Sequence, residues 1–136
     1  IFSAYNLSCL GEVQRALGNL SPAREHRLRG LHLSLDARHL PPLSMALIQF
    51  ARLRIQEIES EKIDLAHKGE VVGEILHWLT LIGEHAGCWL VFRQRAAELS
   101  ALTLGSLSQQ EYSALIHPTT EETLEEAVRR ILASTP

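Results

Sequence analysis

Apolar residues recur at three- and four-residue intervals along almost the whole chain, and no stretch alternates apolar with polar long enough to compete as a strand. The pattern predicts an all-α fold of about seven helices. The first, over residues 2–17, carries Leu7, Leu10 and Leu17 on one stripe and Phe2, Cys9, Val13 and Ala16 on an adjoining one. Gly18-Asn19 stops it, since both residues tolerate a left-handed backbone. Ser21-Pro22 then opens a second helix, Ser as the cap and Pro in the first turn, where its missing N–H has no partner to lose. So short a link sets the two helices antiparallel and adjacent. Helix two, to residue 39, bears Leu28, Leu31 and Leu35 on one side and Gly30, Leu33, Ala37 and Leu40 on another. Two apolar faces suit a helix buried between neighbours in a layered stack.

Pro41-Pro42 interrupts the period, and a third helix is expected over 43–58 with Leu47, Ala51, Ile55 and Ile58 in register and Phe50 beside them. The charged segment from Glu57 to Asp64 marks a turn. Helix four, 61–82, aligns Leu65, Val72, Ile75, Leu79 and Ile82, widened by Val71 and Trp78, and Gly83 and Gly87 bracket the next loop. Helix five, 88–104, presents Trp89, Phe92, Ala96, Leu99 and Leu102 and stops at Gly105. Ser108 with Glu111 and Thr119 with Glu122 both match a capping box, opening a short helix with Tyr112, Leu115 and Ile116 and a last one with Leu124, Ala127, Val128, Ile131 and Leu132.

The 136 residues fit one domain, 1–136, and 46% hydrophobic against 21% charged residues excludes disorder. No apolar run approaches the roughly 18 residues of a membrane span and no basic leader precedes one, so a cytoplasmic location without membrane contact is expected. The apolar pattern is under way from Phe2, which suggests a fragment of a larger protein. Cys9 and Cys88 are too few for a disulfide framework and read as reduced, buried thiols. Charge is uneven: residues 1–58 hold seven Lys/Arg against four Asp/Glu, and residues 59–136 hold six against twelve.

Leu7, Leu10-Gly11, Gly18, Leu20, Ala23 and Gly30-Leu31 stand at the spacing of a tetratricopeptide repeat, a helix pair of about 34 residues, which this stretch resembles. Gln14 and Arg27 depart from it, occupying positions where that family prefers large apolar side chains. A degenerate second unit can be laid on Leu47, Phe50-Ala51, Val72 and Ile75-Leu76, dividing the chain into a best-formed repeat (1–40), a degenerate one (41–82) and capping helices (83–136). With Val71–His77 and Thr123–Val128, the order of segments resembles the C-terminal tetratricopeptide region of bacterial multidomain signal-transduction ATPases and transcriptional regulators. The resemblance implies antiparallel helix pairs in a right-handed superhelix. It also implies a sensor or docking scaffold for a protein or peptide segment, or for another domain of the same chain. Family geometry would direct Tyr5, Ser8, Glu12 and Arg15 of the first inner helix, and Ile48 and Arg52 of the second, to the partner's groove.

No phosphate-binding loop of the Gly-x-x-x-x-Gly-Lys-Ser/Thr type is present. His26, His32, His39, His67, His77, His85 and His117 are scattered; His32 and His39 stand about 10 Å apart along a helix, too far to share a zinc ion. His85-Ala-Gly-Cys88 has the spacing of half a metal site and lacks the other half, and His77-Trp78 reads as packing. Glu121, Glu122, Glu125 and Glu126 form a run that reads as a solvated face rather than a catalytic pair. The expectation is therefore no catalytic, cofactor or metal residue. Arg24, Arg27, Arg29 and Arg38 with His26 make helix two basic, but a pI near 6.2 sets nucleic acid below protein as the partner. The competing readings are a structural spacer or an accessory domain of an enzyme, and the first helix is a candidate homodimer face.

Overall fold

The computed structural model describes residues 2–38, 40–118 and 121–134, with side chains from Cys9 onward. Among these it is all-α: α1 Phe2–Ala16, α2 Leu20–Asp36, α3 Leu40–Ser60, α4 Leu65–Glu84, α5 Leu90–Gly105, α6 Gln109–Ser113 and α7 Leu124–Ser134. Gly18, at φ 81°, makes the α1–α2 turn as its lack of Cβ permits. Helix α2 starts one residue before Ser21, and Asn19 at its N-cap position spends its side-chain amide on Gln14 (2.9 Å) instead of capping. It ends at Asp36, three residues short of the expected end, and the chain turns at Arg38, at φ 52°.

Pro41-Pro42 does not precede α3 but lies in its first turn, because the N–H groups there have no intrahelical acceptor and proline loses nothing by lacking one. Helix α4 begins at Leu65 instead of 61, since the Asp64 carboxylate accepts from the backbone N–H of His67 (2.7 Å) and fixes the start. It runs through Gly83 to Glu84, and α5 begins two residues late, at Leu90. The Ser108–Glu111 capping box forms as read. The last one forms on Thr123 and Glu126, each side chain bonding the other's backbone N–H at 3.1 Å; Thr119 lies outside the described residues.

Helices α1, α3 and α5 pack side by side in chain order, with α2 against α1 and α3, and α4 against α3 and α5. Helix α7 returns to pack on both α2 and α4. The main core runs from Leu31 of α2 through Leu43, Leu47 and Phe50 of α3, Ile75 and Leu79 of α4 and Phe92 and Ala96 of α5 to Leu124, Val128 and Ile131 of α7. Helix α1 adds no buried apolar side chain among the described ones: Leu10 and Val13 are exposed, as are Leu17 just after the helix and the Cys9 thiol read as buried. Trp89, at the N-cap of α5, and Leu102 within it, both expected in the core, are also exposed. No helix of the described residues is long and apolar enough to cross a membrane.

A smaller cluster of Ile58, Val72 and Leu76 is closed by Leu107 and Leu115. The segment after α6 lies directly on α4 there. The Ile116 N–H donates to the Gly69 carbonyl (3.2 Å), and a Cβ built at Gly69 or Gly73 would overlap the carbonyl oxygens of Ala114 and Ile116.

Candidate functional site

The exposed ridge of α3 forms the floor of a groove between α1 and α5. Met45, Ile48, Arg52, Ile55 and Glu59 follow one another at three- and four-residue steps, with Gln49 and Gln56 beside them, which makes the floor about 21 Å long. One depression of about 310 Å³ is walled by Phe92 and Arg95, and another of about 360 Å³ by Arg15 and Leu99; Arg52 belongs to both. Three arginines against one glutamate line the whole. At its α5 edge Trp89 stacks on Phe92 (centroids 5.8 Å apart) and Arg95 lies 5.9 Å over the Phe92 ring, a ladder at three-residue spacing.

The residues expected to face a partner divide. Arg52 is exposed and makes no ion pair or hydrogen bond among the described residues. Ile48 lines the groove but is buried to 4% exposure, so it offers floor rather than a projecting contact. Glu12 and Arg15 are committed within the scaffold. Arg15 holds Glu12 (2.5 and 3.0 Å) and the Gln56 amide oxygen (3.1 Å), and Glu12 also pairs with Arg27 (2.6 Å). The side chains of Tyr5 and Ser8 lie outside the described residues.

Arg27, counted among the residues that make helix two basic, adds nothing to its surface charge. Its side chain is fully buried, and its guanidinium reaches Glu12 and the Gln49 amide oxygen. The stem fits because Gly11 has no side chain: a Cβ there would stand 3.1–3.3 Å from the Arg27 guanidinium end. Burial pushes the Arg27 guanidinium down to about 10 against the pull of Glu12, while Arg15, mainly through its hydrogen bond, holds the Glu12 carboxyl below its ordinary value. Arg24 is likewise spent, on Glu57, which leaves Arg29 and Arg38 as the exposed α2-side arginines without a described ion pair. Sequence reasoning missed Phe92 and Arg95 as groove residues. The available signal was Arg95 three residues after Phe92 on a helix set aside as a cap.

The acidic run near the C terminus is not simply a solvated face. Glu122 is nearly buried and joins the Nε2 of His77 (2.8 Å) to Arg130 (2.6 Å), which also forks onto Glu74 (2.8 and 3.0 Å), so α7 is latched to α4. The hydrogen bond from Arg130 foremost, then that with His77, holds the Glu122 carboxyl below its ordinary 4.5. A depressed carboxyl contributes stability in full above its unfolded value and loses it as pH falls through the lower folded one. Thermal stability is therefore expected to drop below about pH 4.5, and Glu122→Gln should flatten that drop in melting curves recorded against pH. An unchanged acid limb in the variant would exclude the latch as its source.

His85 and Cys88 are engaged in the α4–α5 turn: Nδ1 of His85 accepts from the Gly87 N–H (2.9 Å), and the Cys88 thiol meets the Ser44 hydroxyl (3.1 Å). No group of three His, Cys, Asp or Glu side chains able to hold a metal ion occurs among the described residues. No family model, curated protein or solved structure matches the chain.

Proposed function

We infer that the chain is a non-catalytic docking scaffold whose α3 groove takes an acidic peptide segment from a partner protein or from another domain of the same polypeptide. The observation that supports this most is Arg52, projecting unpaired where the two depressions meet, with Arg95 beside it on an aromatic ledge. Arginine and large aromatic side chains supply much of the binding energy in protein interfaces. A groove about 21 Å long holds roughly six residues of extended chain. Its excess of positive charge steers and orients an acidic segment. In the tetratricopeptide family that the sequence resembles, such a groove would serve as the sensor arm of a bacterial signalling or transcription regulator.

Selection from a displayed random-peptide library tests this. Enriched peptides are expected to carry Asp or Glu beside an apolar residue and to lose about tenfold or more in affinity to Arg52→Glu/Arg95→Glu, with helical circular dichroism unchanged. Neither arginine holds a described ion pair, so the fold should tolerate both changes. Peptides that bind the double variant equally well, or a library without enrichment, would refute the groove. A second reading, a spacer that packs against further domains or a second copy, is favoured by exposed Leu10 and Val13 on α1, Leu17 just after it, and Leu90 and Leu102 on α5.

A further inference from the structure

Helix α5 is apolar around most of its circumference, yet only one side of it is buried. Phe92, Ala96 and Thr103 are covered, whereas Leu90, Val91, Ala97, Ala101, Leu102 and Leu104 are exposed. Leu90 and Leu102 keep 64% and 72% of their surface in water. A helix with apolar residues all round is ordinarily covered all round, and an exposed apolar patch marks a contact with another molecule. Of the charges on α5, Arg93 turns back to the Gly83 carbonyl (3.1 Å), which leaves Arg95 and Glu98 as the exposed pair. They stand three residues apart, within reach of each other on a helix. Arg95 lies over the Phe92 ring instead, and neither is in an ion pair among the described residues.

The order of these residues points to what covers them. Val91, Arg95, Glu98 and Leu102 follow at steps of four, three and four and share one stripe. Reversed end to end, the stripe matches itself: apolar Val91 answers to apolar Leu102, and Arg95 to its opposite, Glu98. On the adjoining stripe, Leu90 and Leu104 stand seven residues either side of Ala97. A two-fold contact demands this pattern, since residue i must suit residue j of the other copy while j suits i. We propose that α5 pairs antiparallel with α5 of a second copy of this chain, about a two-fold axis beside Ala97. Val91 then meets Leu102 of the second copy and Arg95 meets its Glu98, each contact being made twice. Ala97, at the centre, has no bulk to hold the helices apart. The exposed Leu10 and Val13 of α1 lack such a charge pair, because Glu12 and Arg15 beside them are spent on each other. One helix per copy makes a small seam, so a Kd of about 10–100 µM is expected.

Sedimentation equilibrium of the intact chain up to about 0.5 mM should show a monomer–dimer equilibrium. Glu98→Arg sets arginine against arginine across the seam and should weaken association by about tenfold or more, as should Arg95→Glu. Reversing both charges in one chain, Arg95→Glu/Glu98→Arg, should restore the dimer. Mixing the two single variants should give a heterodimer, because each charge then meets its opposite. Leu10→Lys/Val13→Lys on α1 should leave association unchanged. All these positions are exposed, so helical circular dichroism should stay the same. A monomer over the whole range, a dimer indifferent to both single reversals, or single variants that neither the swap nor the mixture rescues would overturn the proposal. So would a dimer lost in the α1 variant. Glu98 lines neither depression of the α3 groove, so its loss of pairing is a separate result from peptide capture.

Discussion

Glu12→Ala is expected to destabilise the fold by about 2–4 kcal/mol, because it strips the fully buried Arg27 of its only described carboxylate. The range lies somewhat below that of a wholly buried pair, since Glu12 keeps a third of its exposure and Gln49 still reaches the guanidinium. The more telling result concerns the double variant. Arg27→Met fills nearly the same volume without charge, and removing both members of a buried pair is often neutral. Glu12→Ala/Arg27→Met should therefore recover most of the lost stability, a large positive coupling in a double-mutant cycle followed by chemical denaturation. A loss below about 0.5 kcal/mol for Glu12→Ala would mean that the pair contributes no more than an exposed one.

The second large effect is a reversal of sign within one helix. Gly73→Ala should destabilise by about 1–3 kcal/mol despite alanine's better helix propensity, because the new Cβ would occupy the place of the Ile116 carbonyl oxygen and lift the 114–116 segment off α4. That displacement opens the Val72–Leu76 cluster under Leu107 and Leu115, and the Ile116 amide should lose its protection from hydrogen exchange. Gly83→Ala, ten positions along the same helix and with nothing near its Cβ site, should instead stabilise by about 0.5–1 kcal/mol. Equal effects at the two positions would show that the segment does not rest on α4 as described.

The helices were legible because their apolar faces repeat at helical period, and Ala23, Gly30 and Leu31 are buried as that pattern requires. Their ends were less so. Pro41-Pro42 read as a break, yet proline is free in a first turn, and only the position of Leu40 decides which of the two applies. The buried role of Arg27 was half visible: it stood at an apolar register position with Gly11 to make room and Glu12 to meet its charge, but those partners lie on another helix. The exposure of Leu10, Trp89 and Leu102 was not legible, because periodicity marks an apolar face and does not say whether a neighbour exists to cover it. For the groove, Arg52 lies exposed on the floor and Arg15 on the wall, but spacing along one helix cannot reveal that Arg27 holds Glu12 and that Glu12 and Gln56 hold Arg15.

Helix α7 has a consequence for how the chain comes apart. In an open array each layer touches only its neighbours, so melting can start at one end and advance layer by layer. Here the last helix inserts Leu124, Val128 and Ile131 into the core that begins at Leu31 of α2, and Arg130 ties it to Glu74. The C-terminal end cannot fray without uncovering the first hairpin. Loosening the first hairpin likewise removes part of the seat of α7. The part of the chain from α2 to α4 is therefore expected to unfold together with α7 as one cooperative unit, closed by the last helix rather than left as a ladder.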